Sequence, residues 1–179
     1  LKNPGPGPRA LILAPTRELA IQIDKEIRTL ARGTRIRTVT VYGGVSDRTQ
    51  IQTLRKRPEI VVGCPGRVLD LLQRREVKTE KIDTLVLDEA DHMFDMGFLP
   101  DIRRIISKLP KKRQNLMFAA TMPRDLRKLT EQILVDPMVA ELAHSKPAET
   151  IEHALYPVQQ KRKLDLLEHL LKDPAFFSS

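Results

Sequence analysis

Two adjacent carboxylates, Asp88 and Glu89, close an apolar run at 84–87. A carboxylate at the tip of a buried strand can hold Mg²⁺ on a nucleotide, directly or through water. A second one beside it can orient or deprotonate an attacking water. That chemistry makes Asp88 the metal-side acid and Glu89 the catalytic one, with both available to Mg²⁺ through water. The pair equally suits the start of an acidic helix, where the helix dipole favours Asp and Glu. Asp91 follows, and His92 next to it reads as a surface residue.

Four further turns follow apolar runs. In Ala14-Pro15-Thr16-Arg17-Glu18-Leu19-Ala20, Thr16 can cap a helix whose first amides take a phosphate oxygen, and Arg17 can add a charged fork. In Tyr42-Gly43-Gly44, paired glycines let a backbone come close to a ligand. In Gly63-Cys64-Pro65-Gly66-Arg67, the amides and the Arg67 guanidinium suit a phosphodiester chain. In Phe118-Ala119-Ala120-Thr121-Met122-Pro123, Thr121 can hydrogen-bond the acids at 88–91 or cap the helix that follows. Each also reads as ordinary turn chemistry. Their weight lies in recurring at one place relative to the strands.

The runs at 10–14, 38–42, 60–63, 84–87 and 116–119 are short, aliphatic or β-branched, as strands buried on both faces are. Helical patterns lie between and after them. Segment 18–32 puts Leu19, Ile23, Ile27 and Leu30 on one stripe, and 68–75 is a shorter helix. Segment 100–109 repeats Ile102, Ile105, Ile106 and Leu109; 123–134 opens with Pro and carries Leu126, Leu129 and Ile133. Such alternation predicts an α/β fold: a doubly wound parallel sheet with helices on both faces and right-handed connections. All the turns above then share its carboxyl edge. Beyond it, 144–150 is polar and reads as a linker. One strand at 151–158 and one helix at 161–172 cannot bury their own apolar faces. The expected plan is a domain at 1–143, a linker at 144–150, and the start of a second domain at 151–179.

Composition narrows the partners. A net charge of +8 and a pI near 9.8 suit a polyanion as well as they suit a plain basic surface. Only 4% of residues are aromatic and none is Trp, which disfavours a base-stacking platform of rings. The single cysteine, Cys64, rules out an internal disulfide or a thiolate cluster, and the four histidines lack ligand spacing. The Pro/Gly-rich opening has no apolar segment of a secretory signal, and no run is long enough to cross a bilayer. The expectation is an intracellular soluble protein without a membrane partner, cytoplasmic or, in a eukaryote, nuclear.

At these residues the chain resembles the DEAD-box RNA helicases of helicase superfamily two. Asp88-Glu89-Ala90-Asp91 spells the motif that names them, their form of Walker B. Pro15-Thr16-Arg17-Glu18-Leu19-Ala20 looks like motif Ia, Gly43-Gly44 like the family's GG element, and Cys64-Pro65-Gly66-Arg67 like motif Ib, usually Thr-Pro-Gly-Arg. Ala119-Ala120-Thr121 stands where the family has Ser-Ala-Thr, motif III, and Asp95-Met96-Gly97-Phe98 is similar to its stretch after the name motif. The match runs in order over about 9–137.

The resemblance implies a RecA-like domain that uses ATP and Mg²⁺, with Asp88 and Glu89 serving both. It implies an RNA backbone path along Pro15, Thr16, Arg17, Gly43, Gly44, Cys64, Pro65, Gly66 and Arg67. It places Asp91, Thr121 and position 119 in a network coupling nucleotide to RNA and to a second motor domain of the same full-length chain. Three departures stand out. No Gly-x-x-x-x-Gly-Lys-[Ser/Thr] loop occurs. The family's loop would precede Leu1, so a domain truncated at its N-terminus is expected. The second domain stops after its first helix, without the arginine finger, so the 179 residues alone are expected to have negligible ATPase or unwinding activity. Ala119 and Cys64 each lack a hydroxyl, a hydrogen bond worth about 0.5–1.5 kcal/mol. Two alternatives stay open: a catalytically degenerate RNA-binding or scaffold module, and a superfamily-two enzyme acting on DNA. Intact Asp88 and Glu89 speak for an enzyme over a module.

Overall fold

The computed structural model describes residues 7–140 and 154–172. The chain divides into two compact units, Leu1–Pro137 and Met138–Ser179. In the first, strands β1 Ala10–Leu13, β2 Thr38–Val41, β3 Ile60–Gly63, β4 Thr84–Leu87 and β5 Gln114–Met117 form one sheet, in the order β2-β3-β1-β4-β5. Every neighbouring pair is parallel. The helices are α1 Arg17–Leu30, α2 Arg48–Arg55, α3 Pro65–Gln73, α4 Ala90–Asp95, α5 Leu99–Ser107 and α6 Arg124–Ile133.

The pleat sends alternate side chains to opposite faces, and the two faces are covered unequally. Leu11, Leu13, Val39, Val41, Leu85 and Leu87 join apolar residues of α2, α3, α5 and α6 in one large core. On the other face α1 lays Ala20, Leu19, Ile23 and Ile27 over Ile12, Ile60 and Val62. Val86 and Leu116, on β4 and β5, stay only half-buried.

The amino edge is tied by ion pairs. Glu59 is 1% exposed and accepts hydrogen bonds from the Arg37 amide at 2.8 Å and its Nη2 at 3.2 Å. Its burial pushes the carboxyl up, but the bonds and charge of Arg37 outweigh this and hold it below its ordinary value. Arg9 pairs with Asp83 across the entries to β1 and β4.

Three elements differ from the pattern in the sequence. Two helices, α2 and α4, were not evident. α2 has only Ile51 and Leu54 as apolar anchors, and α4 has six residues, so neither spans enough turns to show a period. β5 begins and ends two residues earlier than 116–119, because pairing of Thr84 with Gln114 and Leu87 with Met117 fixes its register. Its polar Asn115 is satisfied by Arg113 at 2.8 Å and the Ile133 carbonyl at 2.9 Å.

The second unit has no ladder in its described part. Residues 154–159 are irregular, a 3₁₀ turn spans Gln160–Arg162, and α7 spans Lys163–Leu170. The strand expected at 151–158 therefore has no pairing at 154–158, and an unpaired strand is not stable alone. Residues 151–153 and the linker expected at 144–150 lie outside the described residues. Among those described, no helix is long and apolar enough to cross a membrane.

Candidate nucleotide and nucleic-acid site

The register puts all five turns on one edge. Val41, Gly63, Leu13, Leu87 and Met117 are aligned residue to residue across the sheet, and each ends its strand. With strands about 4.8 Å apart, the five turns span about 19 Å. The order along the edge is the turn with Gly43, then Cys64, then Thr16, then Asp88, then Ala119.

Cross-links join the turns, that of Arg17 with Tyr42 reaching past the turn after β3 to the one after β2. Thr16 has extended backbone and caps α1, its Oγ1 accepting from the Leu19 amide at 3.2 Å. Arg17 is exposed, and its guanidinium lies 4.7 Å from the centre of the Tyr42 ring. Tyr42 is itself held by buried Gln50, which accepts from its amide at 3.2 Å and donates to its carbonyl at 3.1 Å. Arg67 reaches the Val45 carbonyl at 3.5 Å, and its Nη1 is buried without a partner. Gly44 has φ +77, a conformation that side-chain-bearing residues resist. A Cβ on Gly63 would lie 2.5 Å from Val41 Cγ2, 2.9 Å from Val68 Cγ2, and against the Val41 carbonyl oxygen. Pro15 and Pro65 are buried and shape their turns from within, whereas Gly43 and Gly66 are exposed. Cys64 precedes α3, and burial, then the nearby Glu18, push its thiol up, which keeps it protonated.

The acids stand beside the Thr16 turn. The Asp88 amide donates to the Leu13 carbonyl at 3.0 Å, so β4 still pairs with β1 where the carboxylate begins. Burial, and then the Glu89 charge, push the Asp88 carboxyl above its ordinary value, although a bond from the Glu89 amide opposes them. Glu89 sits at φ 49, ψ 52, a left-handed conformation costing a non-glycine residue about 1–3 kcal/mol. Its side chain is exposed and lies 3.2 Å from His92 Nδ1. Asp91 Oδ2 accepts from the Thr121 amide at 2.8 Å and the Thr121 hydroxyl at 2.9 Å. Burial pushes the Asp91 carboxyl up, but these bonds and those of nearby backbone amides win and hold it below its ordinary value. Ala119 is half-buried against the core and offers Asp91 nothing. Helix α6 starts at Arg124, with Pro123 as its capping residue, so Thr121 is a partner of Asp91 rather than a cap.

Among the described residues no group of three or more His, Cys, Asp or Glu side chains could hold a metal ion. Two adjacent carboxylates fit a Mg²⁺ carried mostly by phosphates and water, which needs only one or two protein ligands. Sequence reasoning missed the clamp by Gln50 and the stacking role of Tyr42. The signal was an aromatic directly before Gly43-Gly44, but nothing in the sequence showed which cation would lie over it.

A family described as DEAD/DEAH box helicase matches residues 1–129. The chain belongs to that family. This DEAD-box chain is 45% identical over 164 residues to the ATP-dependent RNA helicase CshA of Listeria monocytogenes, covering 91% of itself and 32% of the relative. It is 40% identical over 164 residues to the DEAD-box ATP-dependent RNA helicase CshA of Geobacillus kaustophilus, covering 91% and 35%. It thus spans about a third of the length of the curated relatives it matches. A crystal structure of a DEAD box protein from the hyperthermophile Methanococcus jannaschii superposes with a TM-score of 0.75 at 36% identity, over 96% of this chain and 46% of that one. The RecA-like sheet expected of a DEAD-box domain is therefore present.

Proposed function

We propose that this chain is the part of an ATP-dependent RNA helicase that grips the RNA backbone and carries the acids of the ATP site. The observation that carries the reading is the shared register: five turns rich in phosphate-binding groups and carboxylates begin side by side on one sheet edge. Thr16, Arg17, Gly43, Gly44, Cys64, Gly66 and Arg67 would follow phosphates and 2′-hydroxyls, which suits binding without sequence preference. Asp88 and Glu89 would hold Mg²⁺, which when bound neutralises charge on the phosphates. Glu89, exposed and turned outward by its backbone, orients the attacking water and takes its proton. Asp91, tied to Thr121, links the acid turn to the turn after β5 and from there to the second motor domain, whose start we place at residues 151–179.

The test uses the longest product of the gene encoding this chain. RNA-stimulated ATP hydrolysis should be present there and fall at least 100-fold in Glu89→Gln, with ATP and RNA still bound. The 179 residues alone should show no turnover. Hydrolysis unaffected by Glu89→Gln would reject the catalytic assignment, and RNA binding without any hydrolysis in the unsubstituted protein would favour the RNA-binding module.

A further inference from the structure

The same parallel topology that gathers the site on one edge gathers a different population on the other. Each connection returning to the amino edge brings exposed cations: Arg35 before β2, Lys56 before β3, Lys81 before β4, and Lys108, Lys111 and Lys112 before β5. No ion pair holds these six among the described residues. The acids of this edge are mostly engaged already: Glu59 with Arg37, Asp83 with Arg9, and Glu76 with Arg55. Residues 102–124 contain seven Lys or Arg and no Asp or Glu, against a net charge of +8 for all 179 residues. Of these, Lys108, Lys111 and Lys112 are exposed in the segment that enters β5 at the amino edge, whereas Arg124 opens α6 beyond the carboxyl end of β5.

We propose that the amino edge is a second RNA-contacting face. It would take the phosphate backbone of an RNA segment running beyond the one held at the carboxyl edge. A smooth row of ammonium and guanidinium groups suits a polyanion with regular charge spacing. The edge spans about 19 Å, room for a short run of consecutive phosphates. Phe118, Met122 and Met96 belong to other segments, and of the exposed large apolar residues toward this edge Leu30 ends α1 and Val135 follows α6, single side chains outside the entry loops rather than a contiguous apolar anchor. The face extends the RNA reading above and rests on it only for the identity of the polyanion.

The experiment measures the affinity of the whole 179-residue chain for a 10-nucleotide single strand and a 40-nucleotide RNA across a range of salt. The variant is Lys108→Gln/Lys111→Gln/Lys112→Gln, with exposed positions that leave the core intact. On the long RNA the slope of log affinity against log salt should shrink by about 2, from about 0.7 per phosphate contact. The short RNA should be unaffected. An unchanged slope on the long RNA overturns the proposal. Displacement of the long RNA by polyglutamate of equal charge, as effective as by polyuridylate, would assign the face to acidic protein and overturn it too. Arg17→Gln/Arg67→Gln separates the two readings. It should weaken both RNAs, and normal short-RNA binding by that pair would sink the carboxyl-edge track while leaving the amino-edge face standing.

Discussion

The two halves of the carboxyl edge are built by opposite means. On the β2–β3–β1 side the turns are shaped by backbone: Gly44 at positive φ, Gly63 pressed against Val41, buried Pro15 and Pro65. Their charges are cations, and Arg17 is steadied by an aromatic ring. On the β4–β5 side the turns are shaped by carboxylates, one strained at Glu89 and one pinned at Asp91. A surface that follows a repeating backbone needs open amides and a few fixed cations. A surface that handles metal and water needs acids held in different states. Asp88 and Asp91, three residues apart, have pKa displaced in opposite directions.

The largest expected effect breaks the cation side. Gly63→Val places side-chain atoms where Val41 and Val68 already are, and should cost about 3 kcal/mol. In a chain of this size that is a fall in Tm of about 6–12 °C by thermal unfolding. An unchanged Tm would mean that β2 and β3 can separate freely.

The next sharpens the acid side through its two signs. Asp91→Ala removes both bonds from Thr121 and should cost about 2 kcal/mol at pH 7. Asp88→Asn removes a charge that burial disfavours and should raise Tm slightly, while, on the proposed function, abolishing ATP hydrolysis in the longest product of the gene. Acid titration should separate them further. The folded pKa of Asp91 lies below its unfolded value, so its contribution is present above the ordinary 3.8 and is lost as pH falls through the folded value. The folded pKa of Asp88 lies above, so its ionised form costs stability at neutral pH, and that cost disappears as pH falls toward 3.8. Equal shifts in the two variants would contradict the distinction.

The smallest effect concerns the ring under Arg17. Tyr42→Phe keeps the face of the ring and should leave RNA affinity within twofold. Tyr42→Ala removes an attraction of about 0.5–1 kcal/mol and should weaken binding about two- to fivefold. Equal affinity in both variants, measured by fluorescence anisotropy, would show that Arg17 needs no support.

The residues alone determined the class of fold, because runs such as Ala10–Leu13 and Ile60–Gly63 are aliphatic or β-branched throughout, as strands packed on both faces are. They also determined the order of the turns, because acids, glycines and arginines follow those runs directly. Tertiary structure alone decided which turns became neighbours. Strand order is set by packing and crossover handedness, so nothing in the linear text placed Cys64 beside Gly43 or Asp88 beside Thr16. It decided too that Thr121 grips Asp91 instead of capping α6, that Gln50 clamps Tyr42, and that Asp88 and Asp91 diverge in acidity. Each of these depends on distances between groups far apart in the chain, and electrostatic and hydrogen-bond energies exist only once those distances are fixed.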